Sequence, residues 1–304
     1  MAETLSALLS GQGLLCIEGA PMAEWTTLRV GGPADLLVQA RDARDIAAVL
    51  RALADKGAPL VVVGGGSNLL VRDGGVRGVV LVVGEAMSDA RIDGDMLIAQ
   101  AGVPLSKAAR LAQRAGLSGL ETLSGIPGTV GGAACMNAGA HGAEMADIVE
   151  SVDVLDTAGA PHTLAREALS FGYRKSALTA QNLIVTGVRC RLRPDDPEAI
   201  SRRMADMAAR RREKQPLTLP SAGSFFKRPE GGYASALTEQ AGMKGAAVGG
   251  AQVSEKHVGF FVNKGNATAR DFIELMALVQ DKVFAMSGVM LEPEVRILGC
   301  DSSC

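Results

Sequence analysis

Short runs of β-branched and aliphatic residues alternate with longer helix-periodic stretches through the first two thirds of this chain. Strands are predicted at residues 36–40 (LLVQA), 59–63 (PLVVV), 79–83 (VVLVV), 96–102 (MLIAQAG), 151–156 (SVDVLD) and 182–192 (NLIVTGVRCRL). Helices are predicted at 43–56 and 103–114. In the second, Leu105, Ala108, Ala109 and Ala112 share one face, and Gly116 supplies the stop. Asp195, Asp196 and Pro197 punctuate the pattern, and 198–214 reads as a connecting helix. A second unit follows. It has GSFFKRP at 223–229, a helix near 234–241, a strand at 257–263 (HVGFFVN), a helix at 269–286 and a closing strand at 294–298 (EVRIL). The layout is α+β, and 304 residues allow two domains, or one large domain with an appended module.

Two glycine-rich segments about sixty residues apart interrupt the periodicity: 59–81 (PLVVVGGGSNLLVRDGGVRGVVL) and 124–142 (SGIPGTVGGAACMNAGAHG). Glycine at such density carries a large entropic cost, and it recurs where backbone must approach a ligand or adopt positive φ. In the first segment, Val61, Val62 and Val63 end a buried strand, and Gly64, Gly65, Gly66, Ser67 and Asn68 offer amides for an anion-binding nest. A doubly wound dinucleotide fold should open a long helix there. Instead Leu69, Leu70 and Val71 read as a second short strand before Asp73, Gly74 and Gly75. No Gly-Lys-Ser/Thr follows, which excludes the nucleoside-triphosphate loop. A diphosphate cradled between strands remains, beside the plainer reading of two tight turns in an antiparallel sheet. The second segment favours the cradle. With few bulky side chains, its backbone is able to lie flat against a ring system or a pyrophosphate; a tight α/β corner is its plainer reading.

Charge adds little: 31 Lys and Arg against 33 Asp and Glu give a net of −2, no general case for nucleic acid or an anionic membrane. Arg202, Arg203, Arg210, Arg211 and Arg212 cluster in the connecting helix and read as a solvated face. The five cysteines, Cys16, Cys135, Cys190, Cys300 and Cys304, are scattered and form no Cys-x-x-Cys pair, so reduced thiols are expected rather than disulfides or zinc. His141, His162 and His257 are too dispersed to ligate a metal. The apolar run at 13–17 is too short to span a bilayer, and no basic leader precedes it. The expectation is a cytoplasmic protein with no metal.

Seven motifs then occur in order: LRVGGPA (28–34), GGGSNLLV (64–71), SGIPGTVGG with NAGA (124–140), FGYRKS (171–176), QP with PSAGSFFKRP (215–229), SEKHVGFFVNKGNATA (254–269) and LEPEVRILG (291–299). Together they resemble the UDP-N-acetylenolpyruvoylglucosamine reductases of bacterial cell-wall synthesis, over almost the whole chain. The resemblance implies an FAD-binding domain of the vanillyl-alcohol-oxidase type at 1–197, with subdomains at about 20–57 and 58–197. A substrate-binding domain at 198–304 completes the chain, its last strand returning toward the flavin. It implies non-covalent FAD, NADPH as reductant, a UDP-sugar substrate, a monomer, and no nucleic-acid or membrane partner. It also implies the shorter form of the family, which lacks an insertion carrying an extra substrate tyrosine.

Position by position, Arg174, Ser224 and Glu294 match the family's catalytic residues. Val63, Gly64, Gly65, Gly66, Ser67, Asn68 and Leu69 match the first flavin loop. Ser124, Gly125, Ile126, Pro127 and Gly128 match the second, followed by Gly131, Asn137, Ala138 and Gly139, with Arg296 from the last strand. Tyr173, Lys227, Arg228 and Tyr233 fall at substrate positions, Arg228 standing where many relatives have asparagine. The implied chemistry is coherent with the residue types. Arg174 offers a planar charged fork for a carboxylate, Ser224 a proton for a strongly basic carbon, and Glu294 a group to order a neighbouring donor. On residues alone, Tyr173-Arg174 also fits a strand-end ion pair, Ser224 a turn and Glu294 a surface strand. Two other functions stay open: an alcohol oxidase or dehydrogenase of the same cofactor fold, and a non-enzymatic UDP-sugar binder. Residues 64–71 contain no histidine or cysteine to tether a flavin, which weighs against many oxidases; all three catalytic positions are filled, which weighs against the binder.

Overall fold

The computed structural model of the chain describes residues 2–54 and 56–301; Cys304 lies outside them. Two units emerge. The first comprises Met1–Glu18, Leu36–Gly65 and Gly78–Ala209, and the second Gly19–Asp35, Gly66–Arg77 and Arg210–Cys304. The boundary expected at 197/198 is where the connecting helix begins (Pro197–Lys214), whereas the units divide inside it, after Ala209.

In the first unit, five described strands form an antiparallel sheet. Their order is Pro161–Ala165, Val149–Leu155, Ile184–Arg191, Met96–Gln100 and Ala90–Asp93. Alternate residues such as Val152, Val154, Val188, Leu97 and Ala99 point into the core, as a half-buried sheet requires. The helix Leu105–Arg114 packs on this sheet through Leu105, Ala108, Ala109 and Ala112, the predicted face. It starts two residues later than its periodicity suggests because the Val103 carbonyl is taken by the Val130 N–H and Pro104, with extended ψ, occupies the cap. Gly116 takes φ +68° beyond its end.

The second helix here was not anticipated. Val130–Cys135 lies within the glycine-rich segment, where Gly and Ala gave no helical period. Thr129 Oγ1 caps it by accepting from the Gly132 N–H. The Gly131 N–H donates to the Ala101 carbonyl at 2.8 Å, and a Cβ on Gly131 would lie 2.6 Å from that of Ala101. Close packing, not propensity, makes this helix. The strand Leu60–Val63 runs parallel to Val79–Val82. It is an edge strand, and only Val63 is buried; Val62 is 39% exposed, which corrects the expected fully buried run.

The second unit is built on an antiparallel sheet ordered Ser221–Ser224, Phe260–Asn263, Ala251–Val253 and Ala247–Val248. The helix Ala269–Ser287 covers it with Phe272, Leu275, Val279 and Val283. Phe225 stacks on Phe261 with centroids 4.2 Å apart, and Phe226 meets Phe261 edge-on at 5.7 Å. A capping box of Thr268 and Asp271 starts the helix, and Gly288 at φ +71° ends it. The Asp73 carboxylate adds a second cap, accepting from the Ala269 and Arg270 N–H groups. Arg296–Leu298 pairs in parallel with Leu69–Val71.

Two strands of the second unit are shorter than predicted, for one reason. At 257–259 the Gly259 N–H turns back to His257 Nδ1, and at 294 the Glu294 N–H goes to the Phe225 carbonyl. Neither is then available to a ladder. No helix among the described residues is long and apolar enough to cross a membrane. Because Phe261 is buried between Phe225 and Phe226, Phe261→Ala should lower unfolding free energy by about 3–5 kcal/mol. Urea unfolding followed by far-UV circular dichroism measures this, and an unchanged midpoint would exclude the aromatic cluster as the core of the second unit.

Candidate active site

The strand Leu60–Val63 delivers Gly64 and Gly65 to the second glycine segment. A Cβ on Gly64 would lie 2.8 Å from Thr129 Oγ1, and one on Gly65 would lie 2.9 Å from Gly128 Cα. At Gly65 backbone therefore meets backbone inside the first unit, and a side chain there would force the segments apart; at Gly64 it would push on the Thr129 hydroxyl. The Gly128 carbonyl accepts from the Leu105 N–H at 3.0 Å, which anchors the far end of the 124–128 loop on the helix. Its near end is held by Ser124 Oγ, which donates to the Glu121 carbonyl at 2.7 Å. Between these anchors Gly125, Ile126 and Pro127 remain at least partly exposed. The loops carry no charged side chain, so an anion here would meet backbone N–H groups and small residues. Two uncharged glycine-rich loops in close contact, lined by backbone and small residues, are chemically suited to the diphosphate of FAD.

Glu121 and Arg203 were absent from the expected site. Glu121 is 7% exposed, and its carboxylate accepts from Ser118 Oγ, the Gly119 N–H and Arg203 Nε at 2.7, 2.7 and 3.0 Å. Burial pushes this carboxyl up, yet the Gly119 amide, the Ser118 hydroxyl and the Arg203 guanidinium outweigh it and hold it below the ordinary glutamate range. Arg203 also reaches Asp195 at 2.5 Å. It is thus a tie within the first unit, correcting its assignment to a solvated face. The only sequence signal was a lone acid in an otherwise apolar, glycine-rich stretch.

In the second unit Gly66 takes φ +61°, and a Cβ there would lie 2.0 Å from the Trp25 carbonyl oxygen. Asn68 is engaged twice: its Nδ2 donates to the Glu294 carbonyl at 3.1 Å, and its own carbonyl accepts from the Arg296 N–H at 3.0 Å. Ser67 is half-buried beside it, and Leu69 stands opposite Arg296 in the parallel pair.

Arg174 sits in a tight turn of the first unit. Gly172 and Lys175 exchange both backbone hydrogen bonds, at 3.0 and 3.1 Å, leaving Tyr173 and Arg174 at the tip. Arg174 adopts φ +55°, uncommon for a residue with a Cβ, and its guanidinium lies over the Tyr173 ring at 5.2 Å. Ser224 belongs to the second unit, exposed at the end of its strand, after an irregularity at Gly223 with φ +78°. Residues 292–294 run beside 225–227: Phe225 accepts from Glu294 N–H at 2.8 Å, Phe226 bridges to Pro293, and Lys227 N–H donates to Glu292 at 2.9 Å. The backbone of Glu294 is thereby fixed next to the residue that follows Ser224, and Glu294 precedes the last strand instead of opening it. Lys227 Nζ meets Glu292 at 3.0 Å, and Arg228 lies 4.5 Å over the Tyr233 ring.

The first unit thus holds Val63, Gly64, Gly65, 124–128, Gly131, 137–139, Tyr173 and Arg174; the second holds 66–69, Ser224, Lys227, Arg228, Tyr233, Glu294 and Arg296. No group of three or more metal-ligating side chains occurs among the described residues. Burial pushes the Cys190 thiol up to about 12, which makes it inert packing.

Comparison with known proteins gives this arrangement a family. Residues 34–165 match an FAD binding domain, and residues 215–298 match the C-terminal domain of UDP-N-acetylenolpyruvoylglucosamine reductase. The chain is 49% identical over 280 residues to the UDP-N-acetylenolpyruvoylglucosamine reductase of Heliobacterium modesticaldum, covering 92% of this chain and 89% of that one. It is 44% identical over 281 residues to the reductase of Clostridioides difficile, covering 92% of each. Its structure is similar to that of UDP-N-acetylenolpyruvylglucosamine reductase (MurB) from Thermus caldophilus, with a TM-score of 0.80, 39% identity, and 94% and 99% of the two chains covered. The α+β class and an FAD-binding domain followed by a C-terminal domain hold as expected. The chain belongs to the UDP-N-acetylenolpyruvoylglucosamine reductase family, FAD-dependent oxidoreductases of peptidoglycan precursor synthesis.

Proposed function

We propose that the protein uses NADPH to reduce the enolpyruvyl ether of UDP-N-acetylglucosamine to the lactyl ether, UDP-N-acetylmuramate, in the cytoplasm. The observation that carries this reading furthest is the meeting of Gly64 and Gly65 with Gly128 and Thr129, a cradle for a dinucleotide diphosphate in a chain of this family. Backbone groups of 63–69, 124–128, Gly131 and 137–139, with Arg296, would hold FAD. FAD held there would supply the redox chemistry, the transfer of a hydride from NADPH to the terminal carbon of the substrate's alkene. Negative charge then develops on the carbon that bears the carboxylate. Arg174 meets that carboxylate with two parallel N–H donors and stabilises the charge as it forms. Ser224 Oγ gives its proton to the same carbon, which is basic enough for a weak acid in the right place. Glu294 orders the donor. Lys227 contributes a point charge to the UDP diphosphate, and Arg228, Tyr233 and Tyr173 contribute further substrate contacts.

FAD should be held without a covalent bond. Acid precipitation is then expected to leave yellow FAD in the supernatant. Flavin on the pellet, or a colourless protein that FAD does not reconstitute, would overturn this.

Arg174→Lys keeps the charge and loses the fork. Turnover should fall roughly ten-fold or more at unchanged FAD content, equivalent to at least about 1.4 kcal/mol of transition-state stabilisation. Parent-like turnover would return Arg174 to a purely structural role.

Ser224→Ala separates the two halves of the reaction. In stopped flow, NADPH should bleach its flavin absorbance at nearly the parent rate. Recovery of absorbance on adding the enolpyruvyl substrate should slow by at least roughly a hundred-fold, the lower range for loss of a positioned acid. Ser224→Cys should restore part of the rate. Recovery at the parent rate in the alanine variant would place the proton donor elsewhere.

A further inference from the structure

Asn137 matches a cofactor position by resemblance, yet its side chain is 1% exposed and fully engaged within the first unit. Oδ1 accepts from the Ala146 N–H at 2.9 Å, and Nδ2 donates to the Gly172 carbonyl at 3.2 Å. The partners fix which end is which, since a backbone N–H only donates and a carbonyl only accepts. Gly172 opens the turn that carries Arg174. A second tether closes the other side: Ser176 Oγ donates to the Cys135 carbonyl at 2.7 Å, and Ser176 is itself buried. Residues on both flanks of the turn are therefore held by the last residues of the glycine-rich segment.

The turn needs such support. Arg174 at φ +55° occupies a conformation that an L-residue visits at a cost of order 1 kcal/mol or more, and it persists only where the surroundings over-determine it. Asn137, at φ +41°, is bent in the same sense immediately after the Val130–Cys135 helix. Among side chains of this shape, an amide presents an acceptor to Ala146 and a donor to Gly172 without taking up a proton. A carboxylate of the same shape would set an oxygen against the Gly172 carbonyl, and an apolar residue would orphan both buried groups.

We propose that Asn137 is a positioning residue: its amide couples the glycine-rich segment to the Arg174 turn and sets where the guanidinium lies. This rests on the reading of Arg174 as the group that meets the substrate carboxylate. A displacement of about 1 Å in such a group is enough to cost on the order of a hundred-fold in rate.

A double-mutant cycle of Asn137→Asp with Arg174→Lys tests the proposal. Steady-state kcat and KM are measured for each variant, with FAD affinity of the apoprotein from flavin-fluorescence quenching and thermal unfolding as separate readouts. Asn137→Asp alone should lower kcat by at least about ten-fold, and in the Arg174→Lys background the same change should cost less than about two-fold. FAD affinity of the apoprotein should stay within about two-fold. Equal losses in both backgrounds, or parent-like turnover, would overturn the proposal, and so would FAD affinity that falls in step with kcat. Should Asn137→Asp not fold, Ser176→Ala severs the other tether and is carried through the same cycle with the same expectations. Parent-like turnover in Arg174→Lys alone would remove the reading beneath the proposal, and the single variant reveals that outcome by itself.

Discussion

The two first-unit loops assigned to the cofactor are joined by one close approach, that of Gly64 and Gly65 to Thr129 and Gly128. A Cβ at Gly65 would lie 2.9 Å from Gly128 Cα, so only glycine fits there without moving the neighbouring loop's backbone, and one at Gly64 would displace the Thr129 hydroxyl that caps the Val130–Cys135 helix. Chain entropy opposes such a contact, so it has to be imposed from outside. The parallel pairing of Leu60–Val63 with Val79–Val82 fixes the first partner. The Leu105 N–H, the Val103 carbonyl and the Ala101 carbonyl fix the second through Gly128, Val130 and Gly131. Regular elements with ordinary hydrophobic faces thus hold irregular backbone that has little of its own to hold it.

The same division governs what could be read from the residues. Leu105, Ala108, Ala109 and Ala112 announce their helix because burial imposes a 3.6-residue period on them. The Val130–Cys135 helix imposes no period, since Gly131, Gly132, Ala133 and Ala134 pack through absence of bulk; its cap and its contact with Ala101 create it. Strand ends at 257–259 and 294 were over-extended for a similar reason. Their side chains look like strand, but their backbone donors are committed elsewhere, and no propensity records that commitment. The discontinuous units are still further from view. That Gly19–Asp35 and Gly66–Arg77 group with the C-terminal third is a fact about contacts, not about local pattern.

The candidate site was legible mainly as an ordered set of motifs. Locally, Ser224 between Gly223 and Phe225 looks like any turn serine, and Arg174 like one half of a strand-end ion pair. What sets them apart is backbone: Arg174 at φ +55° in a two-residue tip, and Ser224 beyond an irregularity at Gly223. Both project from regular structure at points where it is broken, and such departures are kept where function requires them. Glu121 and Arg203 went unread because they are 82 residues apart, and neither has meaning alone. A buried glutamate needs its guanidinium, and a helix arginine reads as solvated until the partner is known.

The charged residues assigned to the substrate are held in a different way from the loops assigned to the cofactor, and the difference suits their proposed tasks. Lys227 pairs with Glu292 at 3.0 Å, but the two side chains are 44% and 72% exposed. An ion pair so open to water contributes about 0–1 kcal/mol, so exchanging the carboxylate for a phosphate oxygen costs little. Arg228 over Tyr233 is likewise an exposed contact, worth about 0.5–1 kcal/mol. The 124–128 loop carries less such freedom, since neutral hydrogen bonds from Ser124 Oγ to the Glu121 carbonyl and from the Leu105 N–H to the Gly128 carbonyl anchor both of its ends. Preorganised backbone suits a cofactor that stays through many turnovers, and loosely paired side chains suit a substrate that must leave after each one.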